Sequence, residues 1–90
     1  NQIIDALLEY ARKLDANKED KLLLEIADAM FNYDSINQEA LVIKCTVLNK
    51  KGKYALAKNW YDHFVKEYKN LYAENYPRTF QQVISHMQPF

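Results

Sequence analysis

The sequence contains very few of the residues that make tight turns. Among its 90 residues there are one glycine, Gly52, and two prolines, Pro77 and Pro89. A fold of many short strands needs turn residues between almost every pair of strands. Their scarcity excludes a many-stranded β fold and predicts an all-α chain.

Cysteine is equally scarce, and long apolar runs are absent. Cys45 is the single cysteine, so no disulfide can form within the chain. We therefore expect a reducing compartment and a cytoplasmic protein. No run approaches the roughly eighteen apolar residues of a membrane-spanning helix, so we expect no membrane contact by this segment. Because the chain begins with Asn1 rather than Met, we interpret it as a fragment of a longer protein.

The residues that are present are those of a folded globular domain. Hydrophobic residues make up 49% of the chain, and the aromatic residues are seven tyrosines, four phenylalanines and one tryptophan. This composition excludes an intrinsically disordered chain. The length is that of one domain, and no linker interrupts it, so we predict a single helical domain over residues 1–90.

Charge is balanced overall but divided unevenly along the chain. Residues 1–40 hold four basic and nine acidic side chains, whereas residues 41–90 hold eight basic and three acidic ones. We interpret this division as two packed halves that attract each other. A head-to-tail contact, or an acidic or nucleic-acid partner for the basic half, stays open as an alternative.

Apolar residues at spacings of three and four predict five helices. The first, third and fourth are predicted over residues 3–14, 37–50 and 53–73. The second has Glu19 and Asp20 in its first turn and ends near Tyr33, and the last begins in the turn that contains Pro77. The third helix has apolar residues on most of its circumference, so we expect neighbouring helices on two of its sides.

Polar residues and the glycine predict where these helices begin and end. Asn17 is expected to cap the second helix. The third helix is capped either by Ser35, which forms the capping-box spacing with Gln38, or by Asn37. Gly52 is expected to end the third helix in the left-handed conformation.

The third and fourth helices are expected to form a tight hairpin over residues 41–64. Small side chains let two helices approach closely, and Cys45 and Ala57 lie where this contact would occur. Larger residues fill the space around them. The predicted hairpin core consists of Leu41, Cys45, Leu48, Gly52, Tyr54, Ala57, Tyr61 and Phe64.

Three segments of the sequence carry a family resemblance. They read YDSINQEAL at 33–41, KGKYALAKNWY at 51–61 and YKNLYAENYP at 68–77. Over residues 20–87 the chain resembles the bacterial transcriptional activator domain, a tetratricopeptide-like helical module, in the variant of Bacteroidetes-type bacteria. Phe64 departs from the family pattern, in which a small residue is usual.

The resemblance implies a non-catalytic role in a bacterial transcription regulator. Domains of this family contact proteins: other domains of the same regulator, a second copy, or the transcription machinery. DNA is bound only through an attached domain, and no cofactor or catalytic residue belongs to the family. Because short helical stacks leave apolar faces at their ends, we also expect a contact through the first or the last helix.

A possible partner surface lies off the apolar stripe of the fourth helix. Leu56 and Trp60 need a second contact there, which we expect from the last helix or from a partner. Lys51 and Lys53 flank the Gly52 turn and complete the predicted surface. Two alternatives stay open: a tetratricopeptide-like adaptor that binds peptides outside transcription, and direct nucleic-acid binding through the basic half.

Sequence features for chemistry are weak. The cations around Gly52, which are Lys50, Lys51, Lys53 and Lys58, are expected mainly to offset the negative end of the third helix. His63 and Glu67 are four residues apart, and His86 could approach them, yet a metal site needs further ligands. Cys45 lies among apolar residues, as an inert core thiol does. We predict no enzyme activity, metal or cofactor.

Overall fold

The computed structural model of the chain describes residues 1–16 and 19–85. Within these residues the protein is all-α, with five helices and no strand. The helices are α1 (Gln2–Ala16), α2 (Asp20–Tyr33), α3 (Gln38–Lys50), α4 (Tyr54–Tyr72) and α5 (Phe80–Ile84). Each of the first three packs against the next one along the chain, and α5 packs against α3. The predicted all-α fold class is confirmed.

The core lies on both sides of α3. One cluster of buried side chains joins α3 to α4, α5 and the segment before α5, and it includes Leu41, Cys45, Phe64 and Val83. A second cluster joins α3 to α1 and α2, and it includes Ala11, Met30 and Ile43. The prediction that the third helix has neighbours on two sides is therefore confirmed.

The caps of α2 and α3 differ in how well the sequence predicted them. Asn37 caps α3, because its Oδ1 accepts a hydrogen bond of 2.9 Å from the backbone N–H of Ala40. The alternative cap at Ser35 is not used. At the start of α2 the cap position belongs to Glu19, whose side chain makes no capping hydrogen bond. Asn17, the predicted cap, lies outside the described residues.

The turn after α3 is a Schellman motif. Gly52 has a φ of 79°, and its N–H donates to the Asn49 carbonyl at 3.0 Å. The N–H of Lys53 donates to the Leu48 carbonyl at 2.9 Å. These two bonds satisfy carbonyls that the helix end would leave free, and they reverse the chain into α4. Gly52 is in the left-handed conformation, as predicted.

The predicted hairpin contact is present. Cys45 and Ala57 are both fully buried, and the Cys45 thiol donates to the Ala57 carbonyl across a distance of 3.5 Å. Only small side chains allow a backbone carbonyl of α4 to come this close to α3. Residues 41–64 therefore fold back on themselves along a Cys45–Ala57 seam.

Two of the eight residues predicted for the hairpin core are outside it. Tyr54 is 55% exposed, because it is the first residue of α4 and only the edge of its ring contacts Phe80. Gly52 is exposed in the turn. Tyr61 is half-buried, and the five others are buried, namely Leu41, Cys45, Leu48, Ala57 and Phe64.

The segment that leads into α5 is held by aromatic side chains. Tyr76 packs against Phe64 and Tyr68, with ring centroids 5.0 and 5.2 Å apart, and its hydroxyl donates to Gln38 Oε1 at 2.9 Å. Tyr61 donates to the Arg78 carbonyl at 2.6 Å. Burial raises the pKa of both tyrosines, so these hydroxyls remain donors at neutral pH.

The predicted start of the last helix is wrong. Pro77 precedes α5, which begins at Phe80 with a capping box: Thr79 Oγ1 accepts from the Gln82 N–H, and Gln82 Oε1 accepts from the Thr79 N–H. The spacing of Thr79 and Gln82 is the capping-box signature, so the sequence contained this signal. Among the described helices, none is both long enough and apolar enough to cross a bilayer.

Replacing Gly52 by alanine should destabilise the domain. A Cβ at this position meets no atom within 4 Å, so crowding plays no part. Alanine is strained at a left-handed φ, and we expect this strain to lower the free energy of unfolding by about 1 kcal/mol. Urea denaturation measures it. Lys53→Ala, which keeps the second backbone bond of the turn, is the matched control and should change stability by less than about 0.5 kcal/mol; equal losses in both variants would contradict the role assigned to Gly52.

Candidate interaction surface

Trp60 is held in a fixed orientation on α4. Its ring is stacked on Phe31 of α2, with centroids 5.6 Å apart and planes 8° apart. Lys44 Nζ lies 4.5 Å from the centroid of the indole ring, and His63 meets the ring edge-on. Trp60 was expected to need a second contact from the last helix or from a partner, and the structure places Phe31 of α2 and Lys44 of α3 against its ring.

Lys44 is a buried cation that the sequence analysis missed. Its side chain is 9% exposed, and its ammonium group forms an ion pair with Asp28 of α2. The hydrophobic stem lies in the interface of α2, α3 and α4, while the charge is shared between Asp28 and the face of Trp60. A lysine inside a helix with apolar residues on most of its circumference was the signal that could have revealed it.

Two open depressions border Trp60. The first has a volume of about 290 Å³ and is lined by Leu56, Asn59, Trp60 and His63. The second, of about 200 Å³, is lined by Phe31, Ser35, Trp60, His63 and Phe64. We call the two depressions together the Trp60 surface. Leu56 is 44% exposed, although leucine is an apolar side chain.

Of the four residues predicted for a partner surface, Leu56 and Trp60 line the same depression. Lys51 and Lys53 are exposed at the α3–α4 turn and do not line either depression of the Trp60 surface. The structure thus brings the two apolar residues together and leaves the two lysines beside the turn.

Part of the uneven charge of the chain is neutralised by ion pairs within the molecule. The Asp28–Lys44 pair joins the acidic half to the basic half, and so does the Asp20–Lys50 pair, with 2.9 Å between Lys50 Nζ and Asp20 Oδ1. Lys58 is paired with Asp62 of its own helix at 2.8 Å. Two of the four cations near Gly52, Lys50 and Lys58, therefore have carboxylate partners.

Cys45 has the environment of a structural thiol. It is fully buried in the seam, and burial raises its pKa to about 12. The thiolate is the reactive form of cysteine, and at neutral pH this thiol is almost entirely protonated.

Metal-ligating residues are scattered over the described part of the chain. Within it, no three His, Cys, Asp or Glu side chains are grouped closely enough to hold an ion. His63 instead packs its ring against Trp60. His86, which the sequence analysis considered as a further ligand, lies outside the described residues.

No family model, curated protein or solved structure matches this chain. The resemblance to the bacterial transcriptional activator domain therefore rests on the residues of the chain itself.

Removing the carboxylate of Asp28 should destabilise the domain through Lys44. Asp28→Asn leaves a buried ammonium without a counter-charge, and because Asp28 itself is half-exposed we expect a loss of about 1–2 kcal/mol. Lys44→Met keeps the apolar stem and removes the charge, so its cost should be smaller. Guanidinium denaturation of both single variants and the double variant measures the coupling. If Asp28→Asn costs the same in the Lys44→Met background, the ion pair does not carry the effect.

Cys45 should resist thiol reagents in the folded protein. At pH 8 a disulfide reagent such as dithionitrobenzoate should label less than a few per cent of native chains and all chains in guanidinium chloride. The raised pKa also predicts that stability is intact below the pKa of the unfolded thiol, near 8.5, and is lost as the pH rises from there towards about 12. Rapid labelling at low denaturant, with the fold intact, would show that the seam opens locally.

Proposed function

We propose that this chain is a non-catalytic protein-interaction and signal-coupling domain of a bacterial transcription regulator. The observation that carries the proposal is the Trp60 surface, where a fixed and partly exposed indole lines two depressions beside an exposed leucine. Partly buried aromatic anchors that border pockets are typical of the energetic centres of protein interfaces.

The helix packing supports a tetratricopeptide-like arrangement. In stacks of helical hairpins each helix packs on its neighbours along the chain and on the equivalent helix of the next hairpin. Here α1 to α4 pack consecutively, and α5 packs on α3. At the free end of the stack, Ile3 and Tyr10 of α1 are 45% and 52% exposed. A neighbouring domain of the regulator, or a second copy, would cover this face.

The position of the Trp60 surface suggests how binding is coupled to a signal. Phe31 belongs to α2 and Trp60 to α4, and both border the same depression. A partner seated there contacts two helices that are themselves joined through α3. Its binding would favour one distance between α2 and α4. The attached domains of the regulator would then change position in response to that distance.

The charges favour a protein partner over direct nucleic-acid binding. Lys50 and Lys58 are held by carboxylates, which leaves Lys51 and Lys53 as the exposed cations nearest the turn. At this turn, two exposed lysines supply few phosphate contacts, and affinity for nucleic acid grows with the number of such contacts. Contact with DNA is accordingly assigned to another domain of the regulator.

A matched pair of leucine variants tests the proposal in cells. Leu56→Asp places a charge in the Trp60 surface, whereas Leu71→Asp makes the same change on the same helix at a residue that is 58% exposed and outside this surface. Both residues are exposed, so both variants should fold. We expect Leu56→Asp at the native locus to change the transcript levels of the same genes as removal of the protein, and Leu71→Asp to leave them unchanged.

Three results would contradict the proposal. One is a transcript profile of Leu56→Asp that equals that of the unchanged protein at equal abundance. Another is an effect of Leu71→Asp of the same size. The third is salt-sensitive DNA binding by the 90-residue chain that is lost in Lys51→Glu and Lys53→Glu, which would move the function to direct nucleic-acid binding.

A further inference from the structure

A second depression, unlike the Trp60 surface in chemistry, lies between the start of α3 and the end of α4. Its volume is about 330 Å³, which is within the range of small-ligand sites. Apart from Ile36, the side chains that line it are polar or tyrosine: Asp34, Asn37, Gln38, Glu39, Tyr68 and Tyr72. None of these residues has a part in the function proposed above.

Two tyrosines form one wall of this depression. The rings of Tyr68 and Tyr72 are 4.8 Å apart and inclined by 57°. Tyr68 is held from behind by Tyr76, at 5.2 Å, while Tyr72 is 52% exposed. The wall therefore consists of one supported ring and one accessible ring, and the faces of tyrosine rings attract cations.

Two carboxylates make the depression acidic. Asp34 is half-buried, and one of its oxygens accepts the N–H of Ile36 at 3.2 Å, which fixes its position. Glu39 is exposed in the first turn of α3. The partial positive charge of the α3 N-terminus opposes them, but it amounts to only about half a unit. The nearby Lys69 donates to Asn75 Oδ1 at 3.1 Å, outside the depression.

Asn37 supplies an independent indication of a ligand. The residue is only 7% exposed, and it lines the depression. Its Oδ1 is used by the cap of α3, which leaves Nδ2 without a hydrogen-bond partner among the described residues. Because no fully buried polar side-chain atom there lacks a partner, Nδ2 is reachable from outside. It offers a donor to a carbonyl oxygen of whatever enters.

We propose that this depression binds an arginine side chain of a partner polypeptide. The planar guanidinium group would lie on the ring of Tyr72 and donate to the carboxylates of Asp34 and Glu39, while Asn37 Nδ2 would donate to a backbone carbonyl of the same segment. Arginine suits the site better than lysine, because its planar group can stack and donate in two directions at once. The proposal does not depend on the role in transcription.

Titration of the 90-residue chain with blocked amino acids tests the proposal by NMR. The probe is N-acetyl-arginine amide, and its control is N-acetyl-citrulline amide, which has nearly the same shape without the charge. We expect saturable shifts of the backbone amides in residues 34–39 and 68–72 with the arginine probe, and an affinity at least about threefold weaker for citrulline. Equal shifts with both probes, or shifts spread over all acidic residues, would overturn the proposal.

Substitutions of the residues that line the depression distinguish binding at this site from nonspecific attraction of arginine to acidic groups. Tyr72→Leu and Glu39→Gln alter exposed side chains, so they should fold, and each should weaken binding of the arginine probe about threefold. Glu74→Gln makes the same charge change at an exposed residue that does not line the depression, and it should leave binding unchanged. If Glu74→Gln lowers the affinity for the arginine probe as much as Glu39→Gln does, the probe is attracted nonspecifically to negative charge and the proposal is wrong.

Discussion

The burial of α3 is the constraint on which the rest of this fold depends. Eight of its thirteen residues are buried, and the seven apolar ones belong to two clusters that face opposite sides of the helix. No other helix touches both clusters to this extent. The hairpin with α4, the packing of α5 and the packing of α1 and α2 all require α3 as a common surface, so a change that tilts α3 disturbs every interface together.

One of these eight buried residues, Lys44, is charged. A lysine in such a position must have its charge satisfied, and Asp28 and Trp60 provide the partners. The same requirement helps to fix Trp60, because its ring contacts both Phe31 and the ammonium group. The exposed part of the indole is therefore presented by the core rather than by a mobile surface side chain. The candidate interaction surface is a consequence of how α3 is buried.

The sequence was sufficient to predict where the helices lie along the chain, but not which side chains meet between them. Periodicity placed four helices to within a few residues, and the small side chains of Cys45 and Ala57 revealed the seam, because both features are local or pairwise. The contact of Trp60 with Phe31 was not predicted, because it depends on which side of α4 faces α2, which no local pattern records. Tyr54 was assigned to the core because the apolar stripe was extended to the first residue of α4, where α3 no longer covers it.

Helix α4 carries both candidate surfaces, and its geometry relates them. Leu56 and Tyr72 are sixteen residues apart, which places them about 24 Å apart along the helix and about 160° apart around it. Two partners could therefore occupy the Trp60 surface and the tyrosine-lined depression at the same time. The seam at Cys45 and Ala57 lies near the Trp60 surface, while the aromatic contacts of Tyr76 hold the C-terminal half of α4. Because the helix is fastened at both ends, a partner at one surface can influence the other only by moving α4 as a rigid body against α3, and this motion is opposed by the packed core that both surfaces share.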